Sequence, residues 1–397
     1  MSMLTRANAH TCQRLAVTAV LLCIVCTVMT SRLVGQTKTE YDPRWNNQIY
    51  PFIEEAPVGG GFQMEGYWVW CGSVIKSDDG QFHMFASRWP KKLPFHPGWM
   101  VASEVVHAVA TTPEGPYHFK DVALPARGAE YWDGRSTHNP RIVKHKETYY
   151  IFYMGSTNPF ADITNPDTLT LESPYCTVGR ANKRIGLAWS KSLNGPWNRN
   201  DHPILDTKPG TFYSFLTSNP SPWVNEDGSV LLMFKSRKYK KDYPFQSSMM
   251  IGMASAKRIE GPYSVIVKEP LFGENKIGEI EDPFFWRDES GFHMIAKDQR
   301  GTITGQFHSG MYAHSKDALH WVLDRSPLSY SRTMKWNNGT TQTMGQLERP
   351  FILFQNGIPT HLFFATMDGP GGFNNSTRSW NMVVPLAKPI SNKERRK

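Results

Sequence analysis

Three short stretches of this 397-residue chain set acid/base-capable side chains directly before a proline. They are His138–Asn139 in "THNPRIVKH", Glu281–Asp282 in "IEDPFFWRD" and Glu348–Arg349 in "LERPFILFQ". Glycosidic-bond hydrolysis uses two carboxyl groups across a sugar-sized gap, one protonating the leaving oxygen while the other activates water in an inverting reaction. A third acid nearby can tune the first by like-charge proximity. The competing reading is structural: Arg349 could neutralise Glu281 or Asp282 in an ion pair that does no chemistry.

The elements that carry these residues form a repeat. An apolar strand, a polar turn and a second strand rich in Tyr, Phe and Met recur at 71–87, 139–156, 219–236, 282–297 and 349–366. Each copy reads as a β-hairpin. Its second-strand positions Phe85, Tyr153, Phe234, Ile295 and Phe364 lie 68, 81, 61 and 69 residues apart. A small-residue strand and a short aromatic strand follow four of the copies, as in "IGLAWSKSLNGPWNR" (185–199), while the fifth is followed only by "WNMVVPLAKP" (380–389). Five copies of a roughly four-stranded antiparallel unit describe an all-β, five-bladed β-propeller. A pair of β-sandwiches would not produce one motif five times. The longest spacing has a visible cause, a polar loop inserted at 157–184.

In a propeller the first strand of each blade lies nearest the axis, so equivalent positions at its start form a ring around one mouth of the channel. Aligned on the prolines, that ring holds His138–Asn139, Asn219, Glu281–Asp282 and Glu348–Arg349, and the first copy, which lacks the proline, offers Trp70–Cys71. Such a set of polar groups is not needed for folding, and a buried carboxylate costs several kcal/mol unless paired or hydrogen-bonded.

Composition agrees with this architecture and narrows the partners. Aromatics make up 13% of the chain, with 31 Gly and 28 Pro, which suits strands, turns and sugar stacking, although packing between sheets accounts for most rings. Residues 1–35 read as an export signal or N-terminal anchor: Arg6 and Arg14 precede "LAVTAVLLCIVCTVM" (15–29), an apolar run short for a membrane span. The expected location is therefore secreted or periplasmic, with no membrane contact beyond that segment. Residues 36–390 read as one propeller domain, and 391–397 as a basic tail. The formal charge of +9 falls to +6 without residues 1–35, which hold three arginines and no acid. That mild excess is compatible with an anionic polysaccharide, and no motif points to nucleic acid. "KSRKYKKD" (235–242) reads as a solvated loop. Cys71 and Cys176 could pair in an oxidising compartment, though no spacing demands it. No metal-ligand pattern or cofactor loop appears. The architecture leaves room for a structural Ca2+ in the channel, but no residue pattern asks for one.

At the three proline-linked stretches the chain resembles glycoside hydrolase family 43 and its five-bladed propeller relatives, the clan that also includes the family 117 anhydrogalactosidases. That clan carries His-Asp-Pro, then Asp-Pro two blades on, then Glu-Gly-Pro in the next blade. The order matches here, with 143 residues from Asn139 to Asp282 and 66 from Asp282 to Glu348. The resemblance implies an exported, inverting glycosidase acting on plant or algal polysaccharide fragments, with Glu348 as general acid and Asp282 as the pKa-tuning acid. Two departures matter. Asn139 stands where the clan places its general base, and an amide cannot take a proton from water. Arg349 replaces the glycine after the acid. A base could instead come from His138, or from Asp133 in "YWDGRSTHNP" or Glu65 in "QMEGYW". The mechanism could be a variant in which histidine participates, or phosphorolysis, which needs no base but fits poorly with export. Or the protein could bind glycans without cleaving them. Glu281 joins the catalytic candidates, and Asn139, Trp70, Arg349, Glu65, Asn219 and Arg141 are the candidates for holding substrate. Trp68, Trp132 and Trp286 are further stacking candidates, Arg135 a further anion ligand, and His293 reads as structural.

Overall fold

Strands that alternate apolar residues with short Gly- or Asp-containing turns can pair only with their neighbours in sequence, and they do so five times. The computed structural model describes residues 47–240, 246–273 and 276–387; the export segment and the basic tail lie outside the described residues. The first blade holds β1 (Tyr67–Lys76), β2 (Phe82–Pro90), β3 (Glu104–Ala110) and β4 (His118–Leu124). The second holds β5 (Ser136–His145), β6 (Thr148–Ser156), β7 (Arg184–Ser190) and β8 (Asn198–Arg199). The third holds β9 (Leu216–Val224), β10 (Val230–Arg237), β11 (Met250–Ala256) and β12 (Ser264–Val265). The fourth holds β13 (Ile280–Asp288), β14 (Gly291–Asp298), β15 (Gly310–Ser315) and β16 (Trp321–Tyr330). A small hairpin, β17 (Thr333–Lys335) and β18 (Thr341–Thr343), leads into the fifth blade of β19 (Gln346–Gln355), β20 (Ile358–Met367) and β21 (Ser379–Pro385). The first strands touch in the order β1, β5, β9, β13, β19 and back to β1, which closes the five-bladed β-propeller.

The fifth sheet has three strands, and the N-terminal segment seals its outer edge. Ile53 bridges Leu386 in antiparallel register, the Glu54 amide donates to the Pro385 carbonyl, and the Ala387 amide donates to the Phe52 carbonyl. Pairing that edge removes the row of unsatisfied backbone groups an open sheet would leave.

One backbone feature repeats around the axis. Pairing of the first two strands slips once in every blade, between Trp70 and Ser73, His138 and Arg141, Glu281 and Phe284, and Glu348 and Phe351; in the third blade the slip lies across from Asn219. The bulged residues are Cys71, Asn139, Asn219, Asp282 and Arg349, all left-handed, with φ of 58°, 56°, 51°, 58° and 55°. Asn and Asp adopt this conformation most readily, whereas Cys and Arg pay of order 1 kcal/mol or more. Proline follows four of the five. Gly72 follows Cys71, because there the backbone N–H must donate to Asn381 Oδ1 (2.7 Å), and a Cβ would lie 2.9 Å from the Asn381 side chain and from Met84 Sδ. A bulge sets two residues against one, so neighbouring side chains diverge: one toward the mouth, the next toward the axis.

The blades pack through apolar clusters of strand residues, such as Phe234, Leu232, Ile185 and Met250 between blades two and three. The 157–184 insertion, expected as a loop, contains a helix, α2 (Pro174–Ala181), which packs on α1 (Phe95–Ala102) from the first blade. Its apolar buried positions, Cys176 and Gly179, are too few to stand out from the surrounding polar residues. Cys71 and Cys176 are both buried free thiols, not a disulfide.

Cross-strand glycine is what allows the large rings in. Gly252 faces Phe234, and a Cβ there would lie 2.5 Å from the Phe234 ring and 2.9 Å from Phe212. Gly252→Ala is expected to cost about 1–3 kcal/mol through overpacking, read as a lowered midpoint in thermal or urea unfolding.

Candidate active site

The five bulged side chains meet on the axis as a connected polar ring. Cys71 Sγ donates to Asn139 Oδ1 (2.8 Å), Asn139 Nδ2 to Asn219 Oδ1 (2.9 Å), and Asn219 Nδ2 to Asp282 Oδ1 (2.8 Å). Asp282 then pairs with the Arg349 guanidinium and accepts from the Arg349 amide (3.2 Å). Turned over, the Asn139 amide would instead place its oxygen 3.2 Å from Arg349 Nη1 and donate to His138 Nε2 (3.3 Å) in exchange for its bond to Asn219, and it is neutral in both orientations. Burial lifts the Asp282 carboxyl to about 6 against the pull of Arg349, and Glu281 and Glu348 add to the lift. The channel at the ring is narrow, with ≈10 Å³ of free volume, about one water. Its donor set does not suit a calcium ion, because a guanidinium sits among the one carboxylate and the amides. Among the described residues no group of three or more His, Cys, Asp or Glu could hold a metal.

Above the ring opens a cavity of ≈250 Å³, and the residues one position earlier in the strands point into it: Trp70, His138, Glu281 and Glu348. Trp89, Phe95, Trp99 and Phe373 complete aromatic walls, with Phe95 and Phe373 stacked at 5.1 Å and Trp70 edge-on to Phe95 at 4.9 Å. The two glutamates share a counterion. Lys297 Nζ contacts Glu348 Oε1 closely and lies 3.5 Å from Glu281 Oε2. Their nearest oxygens are therefore at most roughly 6 Å apart, closer than the roughly 6.5–9.5 Å of inverting pairs. Lys235 and Gln299 also hold Glu281. Burial would raise the Glu281 carboxyl, but Lys235, Lys297 and Arg349 outweigh it and keep it well below the usual carboxylate range. Burial likewise opposes the charge on Lys297, yet Glu348, Glu281 and Asp282 raise its affinity for a proton.

His138 stacks on Trp99 (4.8 Å between centroids), and its Nδ1 meets Ser103 Oγ at 2.8 Å. Burial, with Arg349, Lys183 and Lys235 nearby, pushes it well below the usual histidine range, so it is neutral and can accept a hydrogen bond.

The remaining sequence candidates separate by position. Asn139, Asn219 and Asp282 lie in the ring beneath the cavity, and Arg349 lines both spaces. Arg141 is also beneath: its Nη2 donates to the Pro350 carbonyl (2.9 Å), and its guanidinium lies over Phe284 and Phe351. Asp133 does not reach the cavity. It is buried in a separate network with Arg127 (2.6 Å), Arg199 (3.3 Å) and the Tyr153 hydroxyl (2.7 Å), which fixes the second blade. Glu65 is exposed in the turn before β1, outside the cavity. Trp286 and His293 stack on each other in the core, Trp132 covers Gly155 and Gly186, and Trp68 Nε1 donates to Leu93 O. Arg135 pairs with Asp162.

Sequence reasoning missed the cations of the cavity: Arg180, Lys183, Lys235, Arg237 and Lys297. Lys235 and Arg237 belong to the basic run expected as a solvated loop, but they end strand β10 and line the wall. A signal existed. Lys235 opposes Ser218 and Lys297 opposes Glu281, the same cross-strand position in adjacent repeats, at the ends of otherwise apolar strands.

No protein-family model and no curated protein matches the sequence. Solved structures do resemble the fold. One is described simply as a glycoside hydrolase, with a TM-score of 0.62 at 12% identity over 90% of this protein and 97% of that one. A second is a family 117 glycoside hydrolase produced by the marine bacterium Zobellia galactanivorans, with a TM-score of 0.59 at 15% identity over 86% of this protein and 91% of that one. A third is a thermostable family-43 glycoside hydrolase, with a TM-score of 0.52 at 12% identity over 83% and 91%. The fold is thus the five-bladed propeller on which these glycoside hydrolases are built.

Proposed function

We propose that this chain is a glycoside hydrolase that cleaves plant or algal polysaccharide fragments in the cavity above the propeller ring. The observation that carries the proposal is the pair Glu281 and Glu348 facing one aromatic-walled cavity on the axis. The roles follow from their counterions. Glu281 is held by Lys235, Lys297 and Gln299, so it stays ionised. Glu348 shares only Lys297, and a proton taken by Glu348 leaves that ammonium still paired with Glu281. Glu348 is therefore the general acid, and Glu281 is its ionised partner, which activates water in an inverting reaction once a bound sugar parts the two side chains to the wider spacing such a pair needs. Asp282 acts from below as the tuning acid and does not touch substrate. Neutral His138 accepts a hydrogen bond from the sugar or from the attacking water. Asn139, where the base was expected, serves the ring instead. The apolar run at 15–29 supports export, and among the described residues no helix is long and apolar enough to cross a membrane.

A second reading is carbohydrate binding without turnover. It is favoured by one observation: lysines already satisfy both glutamates.

Glu348→Gln is expected to lower kcat by about a hundred- to ten-thousandfold, measured as new reducing ends from a panel of pectic and algal oligosaccharides. Undiminished turnover in that variant removes Glu348 from the acid role, and binding without product after prolonged incubation of the native protein favours the second reading.

Asp282 carries a stability signature. Its folded carboxyl keeps a proton to about pH 6, whereas an unfolded aspartate releases it near about 4. Between these values the folded state binds more protons, so the contribution of this group to stability falls as pH rises. The unfolding free energy of the native protein minus that of Asp282→Asn, from urea titrations, should decrease between about pH 4 and pH 6 and level off above. A difference that is flat across this window contradicts the buried-acid assignment.

A further inference from the structure

The cavity contains more positive charge than its carboxylates can neutralise. Lys235 and Lys297 are committed to Glu281 and Glu348, and Arg349 to Asp282. Arg180, Lys183 and Arg237 are left over. None of the three has a carboxylate within ion-pair distance among the described residues. Arg180 Nη2 meets the Cys176 sulfur (3.8 Å), and Arg237 Nη1 donates to the Ser247 carbonyl (2.5 Å). Lys183 is 4% exposed, and its Nζ rests on the Trp99 ring at 4.1 Å with no hydrogen-bond acceptor among the described residues. All three line the same cavity, from the end of α2, the residue just before β7 and the end of β10.

Burying unpaired charge is costly, and side chains placed for stability alone do not gather three cations around an open space. Burial, with Lys235, Arg180 and Arg349 close by, pushes Lys183 well below the usual lysine range. Burial and Arg180 lower Arg237 as well, against the pull of Glu281. An anion in the cavity would relieve this repulsion, and guanidinium groups offer forked donors that match carboxylate, sulfate or phosphate oxygens.

We propose that Arg180, Lys183 and Arg237 form an oxyanion subsite that binds the carboxylate or sulfate of an acidic sugar. A free phosphate carries the same chemistry and is the alternative source of the anion. The proposal rests on reading the cavity as a sugar site. The insertion at 157–184 supplies Arg180 and Lys183, so it acts as the specificity element of the cavity.

The test uses the full chain carrying Glu348→Gln, so that binding is measured without turnover. Isothermal titration compares acidic pectic and algal oligosaccharides with their carboxyl-reduced or desulfated counterparts, and with inorganic phosphate. The acidic form of the preferred glycan should bind at least about tenfold more tightly than its neutral counterpart, with the advantage shrinking as salt rises. Lys183→Met and Arg180→Gln should bring the two affinities together. Lys183→Met should also raise the melting temperature, because it removes a buried amine with no acceptor among the described residues; a merely structural lysine would lower it. If inorganic phosphate alone binds with the same dependence on Lys183, the subsite stands and its occupant is free phosphate. Equal affinity for acidic and neutral glycans, unchanged by either substitution, overturns the subsite while leaving the sugar site intact. Binding of no glycan and no phosphate overturns both.

Discussion

Five blades bring five strand ends to one axis, and the polar groups they carry must be satisfied there with almost no water. The ring of Cys71, Asn139, Asn219, Asp282 and Arg349 meets that constraint. Each member sits on a left-handed bulge, and each hands a hydrogen bond or a charge to the next. Arg349 and Asp282 supply the only full charges in the ring and compensate each other. The same bulges turn the preceding residues upward, so the geometry that closes the propeller also aims His138, Glu281 and Glu348 into the cavity. Fold and site are set by one repeated backbone irregularity.

This arrangement explains why an asparagine is tolerated where a base was expected. At position 139 the side chain has one amide neighbour and a thiol to satisfy, and a neutral donor–acceptor group does so without adding a second carboxylate to the ring. The proposed chemistry lies one residue toward the mouth, where Glu281 and Glu348 share the Lys297 ammonium. The counterions are shared unequally: Lys235, Lys297 and Gln299 hold Glu281, and Lys297 holds Glu348.

Much of the fold was legible in the sequence because the repeat is written in aromatic strands and in the prolines that follow the bulges. Aligning those prolines located four of the ring positions, and the first copy, which lacks the proline, offered Trp70–Cys71 for the fifth. The orientation of the side chains was less legible. Arg141 lies two residues past a bulge residue, and strand alternation alone does not reveal that it sits beneath the ring against Phe284 and Phe351. Asp133 and Glu65 were placed near the mouth by sequence proximity, but a loop residue's position depends on contacts such as Arg127 and Arg199 that sequence alone does not specify. The cavity lysines were hidden for the opposite reason. Lysine in a basic run is normally solvated, and only the tertiary fold shows that Lys183, Lys235 and Lys297 are enclosed by the walls of one cavity.

The central claim is that a glycosidic bond lies in this cavity between Glu281 and Glu348. A crystal structure of the Glu348→Gln protein with a bound oligosaccharide tests it most directly. The account predicts the glycosidic oxygen within hydrogen-bond reach of the side chain at position 348, about 2.6–3.2 Å, with the sugar ring against Trp70 and His138. An oligosaccharide seated on another face of the propeller, or one whose glycosidic oxygens all lie beyond reach of both carboxyl positions, would contradict it.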